Sequence, residues 1–123
     1  MKDSGRKLRI LHLLDHIGAG GAQQIVLDII QNADQDRFDF TVGYFFDRHH
    51  FREEYDNAGA RVVHFGGKNY RVRNLWDPRL LFRARKFLRA SERFDAIHFH
   101  LYYSLLTVPL AARMSGYAPR SIV

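Results

Sequence analysis

A doubly wound α/β fold on a parallel sheet is predicted for this chain by three observations. Short apolar runs alternate with segments of helical periodicity, as in strands joined by crossover helices. The first run, residues 8–14, lacks polar alternation and reads as a strand covered on both faces. A loop almost without side chains, Gly18-Ala19-Gly20-Gly21, joins that run to the first helical segment.

In that first helix Ala22, Ile25, Val26, Ile29, Ile30 and Ala33 recur at helical spacing, with Gln23, Gln24, Asp28 and Gln31 on the opposite face. Residues 38–46 read as the second strand and 51–58 as a short helix capped by Gly59. The third strand is 60–65. Asp77-Pro78 carries the N-cap and first-turn chemistry of a helix running to about Arg93, which is expected to bury Leu81, Ala84, Phe87 and Leu88. A fourth strand at 96–99 precedes a helix at about 104–115 that Gly116 ends, and Ser121-Ile122-Val123 begins a fifth strand. Right-handed crossovers give the Rossmann-like order 3-2-1-4-5, incomplete at the carboxyl end. A three-residue last strand at the terminus is expected of a truncated product.

With 123 residues, 46% of them hydrophobic, the chain has room for one domain with a real core and not for two. It has no cysteine, so it forms no disulfide, iron–sulfur cluster or thiolate zinc site, which fits a reducing compartment. Cytoplasmic placement is the expectation. The charged start and the lack of a run near the roughly 20 apolar residues of a spanning helix give no signal peptide or membrane span.

The net charge of +6 is concentrated. Between Lys68 and Arg93 nine Lys or Arg face only Asp77 and Glu92. Arg79, Arg83, Lys86 and Arg89 share one helical face, with Trp76, Leu80 and Phe82 nearby. Such a stretch is usually a solvated face; its functional alternative is contact with an anionic membrane surface. Nucleic acid is not expected as a partner, because no recognition motif accompanies the charge.

The order 3-2-1-4-5 sets the tips of strands one and four side by side, so residues 18–21 and 98–103 share the switch-point crevice where such sheets bind ligands. Helix-start amides without Cβ neighbours can meet a phosphate. The loop matches neither nucleotide fingerprint: a dinucleotide motif needs glycine where Gln23 stands, and no Lys-Ser or Lys-Thr follows as in a P-loop. A ligand-free tight turn is the plain alternative.

His98 and His100, two apart at the end of the fourth strand, are expected to point to opposite faces and so not to chelate one metal. His98 is read as a buried histidine bonded to a carbonyl, and His100, with a pKa near neutrality, as a donor to a sugar hydroxyl or a phosphate. His12, His16 and the His49-His50 pair have no Cys or carboxylate completing a zinc-like spacing, so no metal site is expected. They read as structural or solvated, although His16 borders the glycine loop. Asp15 is equally suited to bonding loop amides and to catalysis.

Taken together, the apolar first strand, the Gly20-Gly21-Ala22 turn and Asp95-Ala96-Ile97-His98-Phe99-His100 before a helix resemble the amino-terminal domain of a retaining GT-B glycosyltransferase of the family 4 type. The likeness covers nearly all of residues 7–123, including Phe38-Asp39-Phe40-Thr41-Val42 and the turn Ala58-Gly59-Ala60-Arg61-Val62. Each motif is weak alone; their order and spacing carry the signal.

The resemblance implies two facing Rossmann-like domains, with this chain on the acceptor side and no counterpart here of the carboxyl-terminal donor-binding domain. It implies a nucleotide-sugar donor, a glycan or lipid-linked hydroxyl acceptor and no further cofactor. Amides around Gly20 and Gly21 would meet the donor diphosphate. His100 would be catalytic, with His98, Tyr102 and His16 beside the acceptor. Family members commonly carry glutamate where this chain has Gln23. The competing reading from another class is a non-catalytic, flavodoxin-like nucleotide or phosphate-binding module, since a doubly wound fold does not fix function.

Overall fold

A computed structural model of the chain describes residues 6–68, 78–91 and 93–100. These form four strands, β1 (Leu8–Leu14), β2 (Phe38–Tyr44), β3 (Arg61–His64) and β4 (Ala96–Phe99), and three helices, α1 (Gly21–Asn32), α2 (Arg52–Asn57) and α3 (Pro78–Ala90). All three strand pairings are parallel, in the order β3-β2-β1-β4. This is the predicted doubly wound order as far as its fourth strand. The Asp77 cap, Trp76, the helix at 104–115, Gly116 and the fifth strand at 121–123 lie outside the described residues.

Strand alternation sorts the apolar side chains into two cores. On one face of the sheet Leu14, Phe40, Val42 and Tyr44 pack with Val26, Leu27 and Ile30 of α1 and Tyr55 of α2. On the other, Leu11, Leu13, Ile97 and Phe99 pack with Leu80, Ala84 and Leu88 of α3. With one core on each face, β1 is buried from Leu11 to Leu14, which is why its sequence does not alternate.

Strand β2 stops two residues short of its predicted end. The backbone N–H groups of Phe45 and Phe46 turn to the Asp15 carbonyl, at 3.1 and 2.8 Å, and leave the ladder. Gly59 closes α2 as expected, at φ 97° in the left-handed region. Gly43 of β2 lies against the core: a Cβ there would lie 2.9 Å from both Leu13 Cδ2 and Phe65 Cε2.

The buried face of α1 differs from the predicted one. Gln23, Val26, Leu27 and Ile30 are buried, whereas Ile25 is 57% exposed and Ile29 is exposed too. Gln23 can enter the core because its amide Nε2 donates to the His16 carbonyl at 3.0 Å, while its own carbonyl accepts the Tyr55 hydroxyl at 2.8 Å. In α3, Leu80 is buried, not a flank of the basic face, and Phe87 is only partly buried. The Leu81 side chain lies outside what the structure describes.

Candidate functional site

The loop after β1 is held by its neighbours. The Ile17 N–H donates to the Arg48 carbonyl and the Phe51 N–H to the Ile17 carbonyl, tying it to the segment before α2. The Gly18 N–H donates to His16 Nδ1 at 3.0 Å, so the His16 ring carries its proton on Nε2. Burial and the nearby Arg48 charge lower the pKa of His16, outweighing the opposing pull of Asp15.

The glycines of this loop have different duties. A Cβ on Gly18 would press on the Arg48 and His16 side chains at 3.1 Å, so packing is tight there. Gly20 is extended, a conformation open to any residue, and the only close neighbour of its added Cβ is the Gln23 side chain. An added Cβ on Gly21 meets nothing within 4 Å. Gly20 and Gly21 are exposed, and no side chain caps the first turn of α1. The fold leaves open space beside main-chain donors where the helix dipole is positive.

The histidines of β4 depart from expectation. Strand side chains alternate with period two, so His98 and His100, two apart, share a face; the expectation of opposite faces is overturned. Their ring centroids are 4.0 Å apart. The register sets His12 of β1 opposite His98, and the His100 N–H donates to the Leu13 carbonyl at 2.9 Å. His12 Nδ1 therefore reaches His100 Nε2 at 3.0 Å. Each of the three offers a ring nitrogen, and these lie within 4.8 Å of one another.

His12 is 2% exposed and stacks on Phe40, with ring centroids 5.7 Å apart. Burial, then His100 and His98, push its pKa down to about 3. Burial, then His98, push His100 down to about 4, and burial also lowers His98. All three rings are neutral at pH 7. This corrects the expectation of a near-neutral pKa for His100: the ring can hydrogen-bond a hydroxyl but brings no positive charge to a phosphate. His98 is half-buried, and its ring contacts among the described residues are the other two imidazoles, not the expected carbonyl.

Both the glycine loop and His100 thus lie at the carboxyl edge of adjacent strands. Asp95, from the same sequence motif, lies at the other end of β4. It accepts both Arg6 guanidinium nitrogens, at 3.0 and 3.1 Å, and the Arg9 N–H at 2.7 Å, a clasp between strands remote from the crevice. Tyr102 lies outside the described residues. His12, which the sequence reading leaves as structural or solvated, joins the cluster through its place in β1, next to β4.

The basic face of α3 is divided. Arg83 Nη1 donates to the Phe65 carbonyl at 3.0 Å, and Arg79 lines a cavity of about 80 Å³ with Gly66, Gly67 and Lys68. Phe82, 63% exposed, shares an open depression of about 500 Å³ with Arg85, Lys86 and Arg89. This hollow is a shallow, open surface between basic side chains. No helix among the described residues is long and apolar enough to cross a membrane.

The doubly wound sheet brings an uncapped helix start and a histidine cluster to its switch point, the place where folds of this kind bind ligands. The family model Glycosyltransferase Family 4 matches residues 19–122, and the chain belongs to that family. No curated protein and no solved structure matches.

Proposed function

We propose that the chain is the acceptor-side domain of a GT-B enzyme that moves a sugar from a nucleotide-diphosphate donor to a hydroxyl of a glycan or lipid-linked acceptor. The observation that carries this is the combination of family membership with open space over the α1 start at Gly21. There the amides of Gly20 and Gly21 stabilise negative charge developing on the leaving diphosphate, by dipoles already in place before reaction. Neutral His100 hydrogen-bonds the transferred sugar or acceptor hydroxyl. His98, Tyr102 and His16 line the acceptor side. The donor's remaining contacts come from a carboxyl-terminal domain beyond these 123 residues.

Calorimetric titration of the chain with uridine and guanosine diphosphates tests the reading. Saturable binding is expected, weakened at least about tenfold by Gly21→Val, which blocks the approach without a clash in the fold. Binding that Gly21→Val leaves unchanged would remove the amide cradle. The chain by itself is expected to transfer no sugar, and measurable turnover of a nucleotide sugar would contradict the two-domain assignment.

The exposed strip Phe82, Lys86 and Arg89 suits an acceptor held at the inner face of an anionic membrane, an aromatic ring entering the interface while the cations meet headgroups.

A further inference from the structure

We propose that His12, His98 and His100 form a three-imidazole site for a divalent ion of the zinc class, with a fourth position open towards solvent. The proposal does not depend on sugar transfer. Three observations carry it.

The first is convergence. One ring nitrogen from each histidine falls within 4.8 Å of the others, and His12 Nδ1 to His100 Nε2 is already 3.0 Å. Tetrahedral zinc, with Zn–N of about 2.0–2.1 Å, needs its ligand nitrogens about 3.3 Å apart. The remaining closure is of the size that side-chain rotation of half-buried His98 and His100 supplies.

The second is the burial of His12. Apart from the His98 and His100 imidazoles, its neighbours on that face of the sheet include apolar Leu14 and Phe40. Its Nε2 is buried with no hydrogen-bond partner among the described residues. A leucine or phenylalanine would fill this position without an orphaned polar atom. What the imidazole adds at this position is Nδ1, which faces His100 of the adjacent strand, and that nitrogen is the one an ion would use.

The third is the donor set. Each imidazole offers one ring nitrogen to the cluster. Among the described residues no carboxylate belongs to the cluster. An all-imidazole set favours zinc, copper, nickel or cobalt over magnesium or calcium, which take oxygen ligands. Three protein ligands leave one coordination position, and the partial exposure of His98 and His100, against buried His12, puts it on their side of the cluster.

The test is titration of the chelator-stripped chain with Co²⁺, followed by visible absorbance, and with Zn²⁺ in competition. Uptake of about one equivalent with micromolar affinity and a four-coordinate cobalt spectrum is expected. His98→Gln and His100→Gln, at partly exposed positions, should each weaken binding at least about tenfold while circular dichroism shows the fold retained. The double variant His49→Gln/His50→Gln should bind as the unaltered chain does. Submillimolar binding that is absent, that survives His98→Gln or His100→Gln with a smaller loss, or that vanishes with His49 and His50 overturns the proposal. None of these outcomes touches the nucleotide titration above, so the two assignments fail separately.

Discussion

His12 and His100, 88 positions apart, meet ring to ring across two parallel strands, Nδ1 to Nε2 at 3.0 Å. One nitrogen must donate and the other accept, so a single proton sits between them. Protonating either ring sets a charge at a buried or half-buried position, and protonating both places like charges together. The contact exists because β1 and β4 are neighbours at the switch point of the sheet, the same fact that brings the glycine loop beside the β4 tip.

Acid should therefore destabilise the metal-free protein. The folded-state pKa values, about 3 for His12 and about 4 for His100, lie below the ordinary 6.5. Between those limits the unfolded chain binds more protons than the folded one, so stability rises with pH across the window. It is full above about 6.5 and is lost as pH falls towards 4. With chelator present, melting temperatures should drop by at least about 5 °C from pH 7 to pH 4. His12→Leu should flatten that slope; an equally steep profile in the variant would assign acid sensitivity elsewhere.

Gly43→Ala should destabilise by about 1–3 kcal/mol, because the added methyl presses on Leu13 and Phe65 at once. Urea denaturation checks this. A midpoint unchanged from the parent chain would mean that the sheet and the α3-side core sit less tightly than described.

Asp95→Ala should lower stability by about 1–2 kcal/mol, since it removes the Arg6 fork and the bond to the Arg9 N–H. Half-exposure of the ion pair keeps the loss at that scale. Nucleotide affinity should stay as it was, since the clasp is at the far end of β4. A parallel loss of nucleotide binding in protein that remains folded would contradict this separation.

On the basic helix, Lys86→Glu with Arg89→Glu should reduce binding to anionic liposomes several-fold, and raised salt should do the same. Arg83→Glu should act chiefly on stability, by removing the bond to the Phe65 carbonyl. Sedimentation with liposomes of phosphatidylglycerol and phosphatidylcholine separates the two effects. Equal binding by the Lys86/Arg89 variant would remove the membrane assignment.

The strand order was legible because apolar runs covered on both faces, Leu8–Leu14 above all, have few other uses. The buried face of α1 was not. Hydrophobicity favours Ile25 and Ile29 over Gln23, and what reverses that is the His16 carbonyl, placed for Gln23 only once the loop has folded. Glycine duties were equally hidden: composition cannot distinguish Gly18, packed against His16 and Arg48, from Gly21, with open space beside it. The histidine cluster could have been read. Period-two alternation puts His98 and His100 on one face, and the predicted order already set β1 against β4. Its low pKa values could not, because they come from burial and from rings that meet only across strands.

The most direct measurement of the sugar-transfer assignment is an amide-resolved NMR titration of the chain with uridine and guanosine diphosphates. Saturable shifts should centre on the Gly20, Gly21 and Ala22 amides, where no side chain caps α1. Shifts confined to the basic face of α3, or none up to millimolar nucleotide, would contradict a diphosphate site at the glycine loop.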